Sequence, residues 1–377
     1  MPDQYPCNDL VGLIYKTNLK KIMKKELTVY SKTNLYVGID VHKKQWSVSI
    51  YTDQIHHRTF SQLPSPEVLY AYLNSHFPGA TVKCAYEATS FGWWIARQLE
   101  GYGYECLVVN PSDIPTTSSE SQNKTDKIDS RKIAKTLQAG LLRGSYIPDE
   151  ELEGDRLLIR YRKRVWSDLV RIKNRIKGTL RFSGVELPPE YDNAYWTKAF
   201  LAWLRSVELP STGTRMTVDS LLDQYDHVYA HHLEVSRKAR GLLRKSRYKE
   251  RGKLLRGIPG IGPLTSIQLL VELGDVGRFA NFKSMNSFIG FKPTVYSSGD
   301  HDWKGHMTSR KHNTLRSALI ECSWQAVQKD PALLDRYEDL LKRMTKKRAI
   351  VVIARKLLSR IYHVLKTGEP YELGVAA

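Results

Sequence analysis

Cysteine is scarce in this chain. Four occur in 377 residues (Cys7, Cys84, Cys106 and Cys322), and none forms a C-x-x-C pair. A disulfide framework and a cysteine zinc site are therefore not indicated, and the four read as small buried hydrophobes in a reducing cytoplasm. No apolar run approaches the roughly 18 residues that a membrane span needs. Leu10 to Tyr15 is too short for the core of a secretory signal, and lysines follow it. Acids are also in short supply, with 39 Asp+Glu against 58 Lys+Arg and a formal net charge of +19. Hydrophobic residues make up 41%, enough for real cores. A globular chain this basic points to a polyanion, with nucleic acid ahead of an anionic membrane surface.

What is present divides into four stretches. Residues 1–33 show no clear period and carry a basic cluster at Lys20, Lys21, Lys24 and Lys25; they read as an extension, with Met23 as an alternative start. From residue 34 to 150 the pattern is α/β. Leu35–Val41, Gln45–Tyr51 and Ile55–Phe60 read as a strand meander, Thr81–Tyr86 and Tyr104–Val109 as further strands, and Ser65–Phe77 and Phe91–Glu100 as helices. A Ser/Thr-rich stretch from Pro111 to Asn123 reads as a mobile loop before a helix from about Thr125 to Ala139. Residues 151–247 carry two runs at 3- and 4-residue steps. One passes through Leu158, Val165, Leu169, Ile172, Ile176 and Leu180, the other through Val218, Leu221, Tyr225, Val228, His232, Val235, Ala239 and Leu242. Such runs predict an antiparallel coiled-coil arm with an elaborated tip holding Trp196 and Trp203. Residues 248–377 read as mostly helical, with helices over Ser284–Ile289, Asn313–Gln328 and Arg348–Lys366.

Between Arg160 and Arg181 nine Lys/Arg face one acid, Asp168, and Arg160, Arg164, Arg171 and Arg175 share a helical face. A solvated helix face is the bland alternative; so lopsided an excess favours phosphate contact. The basic stretches Arg237–Arg256 and Lys342–Arg348 add candidate backbone contacts, without the spacing of a base-reading helix.

Four carboxylates carry the candidate chemistry. Asp40 ends the first strand in Gly38-Ile39-Asp40, and Glu87 ends the fourth in Ala85-Tyr86-Glu87. Asp126 and Asp129 open a helix three residues apart, hence on one face. Singly, each reads as well as a turn residue, a surface acid or a helix N-terminal acid. Gathered at one sheet edge they would repel unless divalent cations lay between them, and hard oxygen donors suit Mg²⁺ or Mn²⁺.

Their order and surroundings narrow the reading. Gly-Ile-Asp-Val-His-Lys, Tyr-Glu-Ala-Thr and Lys-Thr-Asp-x-x-Asp-Ser-Arg-Lys-Ile-Ala together resemble the DEDD transposases of the insertion-sequence-110 family, over roughly residues 35–377. The resemblance implies a ribonuclease-H-like (RuvC-like) catalytic domain binding Mg²⁺ or Mn²⁺ through Asp40, Glu87, Asp126 and Asp129. Ile258-Pro259-Gly260-Ile261-Gly262 looks like a helix-hairpin-helix turn whose Gly260 and Gly262 let amides approach a phosphate, or else an ordinary helix connection. Tyr296-Ser297-Ser298-Gly299 is a turn on its face; it resembles the family's nucleophile motif, which implies Ser298, with Ser297 as the register alternative. The family's Lys-x-Gly-Asn stretch is replaced by Ser309-Arg310-Lys311-His312-Asn313, so Arg310 or Lys311 stands in for its charge, and Arg316 keeps its place to grip phosphate. His301, His306 and His312 are candidate proton carriers or phosphate contacts.

The resemblance further implies double-stranded donor and target DNA as partners, a structured guide RNA that pairs with both, and a homo-oligomer, dimer or tetramer. It also implies a prokaryotic, nucleoid-associated location and no membrane partner. The expected activity is transposition by cutting and rejoining DNA. A structure-selective junction nuclease and a non-catalytic nucleic-acid-binding protein are the alternatives.

Overall fold

The computed structural model describes residues 30–115, 126–193, 195–298, 301–308 and 311–374, with backbone alone for 293–298 and 301–307. The lysine cluster of the first stretch, Cys7, the Ser/Thr-rich segment from residue 116, Gly299 and Arg310 lie outside these. The chain divides into two compact units, residues 1–147 and 148–377. No helix among the described residues is long and apolar enough to cross a membrane.

The first unit is built on five strands, β1 (Asn34–Val41), β2 (Trp46–Tyr51), β3 (His56–Gln62), β4 (Thr81–Glu87) and β5 (Glu105–Val109), in the order β3-β2-β1-β4-β5. The β1–β2 and β2–β3 pairs are antiparallel; β4 runs parallel to β1 and to β5. This mixed sheet is consistent with the ribonuclease-H-like expectation. Strand alternation gives it two different faces. Leu35, Val37, Ile39, Trp46, Val48, Ile50, Cys84 and Tyr86 form one. They pack against Leu69 and Leu73 of α1 (Pro66–His76) and Ile95 and Leu99 of α2 (Trp94–Gly101). Ser65 caps α1 by accepting from the Val68 amide, with Pro66 entering the first turn, as that sequence predicts.

The other face has small or polar residues at its centre, Gly38, Ser47, Ser49 and Ala85, flanked by Tyr36, Leu107 and Val109. Onto it lies α3 (Asp126–Gln138), through Ile133, Ala134 and Leu137. A Cβ on Gly38 would overlap the carbonyl oxygen of Ser130 and the amide nitrogen of Ala134. The helix backbone thus rests directly on the strand backbone. Gly38→Ala should force the two apart and cost about 3 kcal/mol, the upper range for overpacking, because the obstructing atoms are main chain. Chemical denaturation measures this; an unchanged midpoint would show that the helix yields freely.

The second unit opens with α4 (Glu150–Phe182), followed by α5 (Lys198–Ser206) and α6 (Thr212–Gly241). Arg162 meets Ser236, and Lys173 lies over the Tyr225 ring, so α4 and α6 run antiparallel. Their buried seam holds Val165, Leu169, Ile172, Ile176 and Leu180 against Val218, Leu222, Tyr225 and Val235. Leu158 and Leu221, placed in the seam by sequence spacing, are only half-buried; their neighbours Ile159 and Leu222 are inside. Phe200 and Leu204 of α5 close the tip, with Trp196 and Trp203 packed against them.

After α6 come α7 (Ser246–Arg256), α8 (Pro263–Leu273) and α9 (Phe282–Ile289), then a hairpin of β6 (Pro293–Ser298) and β7 (His301–Met307). Helices α10 (Asn313–Lys329), α11 (Pro331–Leu341) and α12 (Lys346–Thr367) complete the unit. The hairpin and α11 are absent from the sequence reading. Cys84, Cys106 and Cys322 are free and buried, as their scarcity suggested.

Candidate active site

Asp40 and Glu87 sit at the same end of neighbouring parallel strands. The β1–β4 register runs to Ile39 opposite Tyr86, so the next step sets Asp40 level with Glu87. Alternation puts Asp40 on the face of Gly38 and Glu87 on the face of Ala85, which is the face that α3 covers. Asp126 and Asp129 lie in the first turn of α3. The structure therefore brings the four carboxylates to one corner of the sheet, with Asp40 and Asp126 sharing a neighbour.

Between those two stands a residue that the sequence reading left out. His42 Nε2 lies 3.1 Å from Asp40 Oδ2 and 3.6 Å from Asp126 Oδ1. Asp40, His42 and Asp126 offer ligand atoms all within 4.8 Å of one another, the single such group among the described residues. The signal was present in the sequence as Asp40-Val41-His42, two polar groups two residues apart at a strand end. Burial pushes the Asp40 pKa up; the His42 charge and hydrogen bond pull it down, and Asp126 and Asp129 push it up again, leaving it raised. A carboxylate that is half-desolvated beside two other acids is one whose charge a divalent cation would relieve. Oxygen donors with one imidazole fit such an ion.

A buried hydroxyl cluster underlies the corner. Ser130 Oγ lies 3.1 Å from Ser47 Oγ and 2.9 Å from Ser49 Oγ, and Ser49 bonds Thr59 at 2.8 Å. Ser130 directly follows Asp129, so these bonds fix the turn of α3 that carries both acids. Arg131, next in the same motif, donates to Thr59 at 3.3 Å.

Ser298 ends β6, paired in register with His301, and Ser297 pairs with Asp302. These residues lie in the second unit. Arg316 is in the first turn of α10, its guanidinium 5.9 Å from the Phe291 ring centre. His312 is engaged within its own unit. Its Nδ1 accepts from the Leu315 amide, and its Nε2 lies 3.2 Å from Glu272.

Glu272 also corrects the reading of the basic arm. Its side chain is 1% exposed and takes two bonds from Arg160, at 2.9 and 2.7 Å. Burial raises its pKa, but Arg160 and His312 hold it down at about 2. Arg160 is therefore a structural residue. Others of the nine are also engaged: Arg162 with Ser236, Lys163 with Thr314, Arg171 with Asp168, and Lys177 with Asp192. Lys173 lies 5.6, 5.3 and 5.8 Å from the ring centres of Trp166, Trp196 and Tyr225. Arg164, Arg175 and Arg181 remain exposed on α4.

Two basic hollows supply further cationic surface. One, of about 460 Å³, is lined by Arg160, Lys163, Arg164, Lys311 and His312 among others. The second, of about 570 Å³, is lined by Arg240, Arg244, Lys249 and Arg256 beside Pro263, with no acid in its lining. Gly262, which precedes Pro263, has open space around a built Cβ and leaves the start of α8 without a side-chain cap. Gly260 lies close against α10. At φ +85°, a Cβ there would overlap the Cys322 carbonyl oxygen and lie 3.1 Å from the Ala326 amide of α10.

Removing the charges of Arg164, Arg175 and Arg181 together should lower the slope of log affinity against log salt by about 2–3, at roughly 0.7–0.9 per phosphate contact. Filter binding across a salt series measures it, and an unchanged slope removes this face from the nucleic-acid surface. Arg160→Ala should instead cost roughly 3 kcal/mol of stability, because it strips a buried carboxylate of its main partner.

Comparison with known proteins accords with this geometry. Residues 37–183 match a DEDD transposase model of the IS110 type, and residues 252–338 match the model described as Transposase IS116/IS110/IS902 family. The Sinorhizobium fredii protein y4qE is 24% identical over 239 residues, 63% of this chain and 57% of that protein. The transposase for insertion sequence element IS1533 of Leptospira borgpetersenii is 26% identical over 317 residues, 78% of this chain and 86% of that one. The pilin gene-inverting protein of Moraxella bovis is 34% identical over 128 residues, 32% of this chain and 39% of its own.

Proposed function

From its place in the IS110/IS116 family of DEDD transposases, we propose that this chain cuts and rejoins DNA strands to move an insertion sequence, using the carboxylate corner and Ser298. The observation that carries the reading is the meeting of Asp40 and Asp126, with Asp129 and Glu87 beside them, at one end of the sheet. Asp40, Glu87, Asp126 and Asp129 would hold Mg²⁺ or Mn²⁺, which when bound supplies Lewis acidity at a phosphoryl oxygen. The Ser298 hydroxyl would form an ester with the scissile phosphate as the sugar oxygen leaves, so the energy of the broken bond is kept for rejoining.

The partners of this reading are donor and target double-stranded DNA, a structured guide RNA, and further copies of the chain in a dimer or tetramer. The net charge of +19 and the two basic hollows support a nucleic-acid partner held by its backbone. Sequence choice would then rest on base pairing, as in other guided systems. The likeness to a protein named for inverting a pilin gene supports exchange between two DNA sites over simple hydrolysis.

The test is reconstitution. Protein expressed with the DNA flanking its gene should retain a discrete RNA. Protein, that RNA and both DNA sites should give joined products only with a divalent cation. Nicked products without joining would leave the junction nuclease in place, and no cleavage at all would leave a binding protein.

A further inference from the structure

We propose that His42 is a protein ligand of the divalent cation at the carboxylate corner, and that it biases the site toward a transition-metal ion such as Mn²⁺ over Mg²⁺. The inference rests on the reading that Asp40 and Asp126 hold that ion, and extends it to a side chain of different chemistry.

The spacing is the first support. Octahedral coordination at about 2.1 Å puts adjacent ligand atoms about 3.0 Å apart and opposite ones about 4.2 Å apart. His42 Nε2 lies 3.1 Å from one Asp40 oxygen and 3.6 Å from one Asp126 oxygen. The three atoms span no more than 4.8 Å. The two histidine separations fall between those of adjacent and opposite donors around one small cation.

The second support is the direction of the ring. The same nitrogen, Nε2, faces both acids, although β1 ends at Val41 and the His42 side chain is 52% exposed. Lys43 and Lys44 follow immediately and are exposed, and neither appears among the ion pairs of Asp40 or Asp126. Of the three basic side chains in this turn, the one turned onto the carboxylates is the one that can donate a lone pair to a metal. A lysine ammonium could only repel it.

The third support is donor chemistry. Carboxylate oxygens suit Mg²⁺ and Mn²⁺ alike, whereas imidazole favours transition ions and adds little for Mg²⁺. A histidine among the acids therefore acts as a selectivity element, raising affinity for one class of ion and leaving the other nearly unchanged.

The experiment uses the full chain without an affinity tag, loaded with Mn²⁺ and read by pulsed electron paramagnetic resonance, with Mg²⁺ affinity measured by competition. A directly bound imidazole nitrogen should couple to the Mn²⁺ spin in the wild type. His42→Ala should lose that coupling and bind Mn²⁺ roughly 10-fold more weakly, with Mg²⁺ affinity scarcely changed. Asp40→Asn should weaken both ions. Mn²⁺ held at the site without nitrogen coupling, or coupling that persists in His42→Ala, overturns the role of His42 and leaves the carboxylate site standing. Binding unaffected by Asp40→Asn removes the carboxylate site first, and the His42 proposal with it.

Discussion

Asp40→Asn is expected to cut strand exchange by roughly 10²–10³-fold or more while making the metal-free protein harder to unfold. The loss follows from removing a half-buried member of the converging charges, on the β1 end of the corner. The gain follows from the raised Asp40 pKa, which burial and the charges of Asp126 and Asp129 produce against the opposing pull of His42. A folded-state pKa above the unfolded one means that the fold disfavours the charged carboxylate. Below the ordinary aspartate range both states are protonated and the penalty is absent. It grows as pH rises from the ordinary aspartate value toward the folded pKa and is fully present above the folded pKa. The asparagine variant carries no such penalty, so its advantage should widen as pH rises from about 4, the ordinary aspartate value. Thermal melts in chelator from that pH upward measure it. Adding Mn²⁺ should raise the wild-type melting temperature and leave Asp40→Asn nearly unmoved. Wild-type exchange by Asp40→Asn would falsify the assignment outright. A melting difference that shrinks with rising pH would show that repulsion is not what burdens the corner.

The second large effect is at the serine. Ser298→Ala should abolish both joined product and covalent protein–DNA adduct, whereas Ser297→Ala should keep both. The two serines occupy successive register positions of β6, opposite His301 and Asp302, so the assignment is decided by one residue. A suicide substrate, a denaturing gel and peptide mapping of the adduct distinguish them. The adduct should also vanish in chelator, since the reading joins a serine ester to a metal-dependent site; serine chemistry without metal would give an adduct in either condition. An adduct mapped to Ser297 shifts the register. Cleavage at the wild-type rate by Ser298→Ala, with no adduct from either protein, gives the case to a hydrolytic nuclease.

The sheet and its acids were legible because their signals are local. β1 and β2 alternate apolar with small or polar residues, and Asp40 and Glu87 fall near the ends of their strands. Asp126 and Asp129 were found by helical spacing within one motif. The arm's charge was misjudged for the opposite reason. Arg160 looks free on its own helix, and its partner Glu272 lies 112 residues away on α8. Counting charges along a sequence measures the supply of guanidinium groups, not how many face water. The β6–β7 hairpin was missed because the Ser-Ser-Gly run was read as a turn without the strands on either side of it. His42 was passed over because it was read as part of a motif and not as a side chain with its own reach.

The glycine under α3 has a mechanical consequence. With main chain resting on main chain at Gly38, the helix has no cushion of rotamers through which to move nearer the sheet or to soften a push from behind. Lateral hold comes from side chains: Ile133 and Leu137 pack against Ala85 and Val109, and Ser130 bonds Ser47 and Ser49, Arg131 bonds Thr59 and Gln138 bonds the Thr52 carbonyl. The spacing between Asp40 and the two helix acids is thus set toward the sheet by main chain and along it by side chains. Exchange of Ser130 for an apolar residue of like size would act as a vernier on the corner, shifting which acids face one another while α3 itself stays formed.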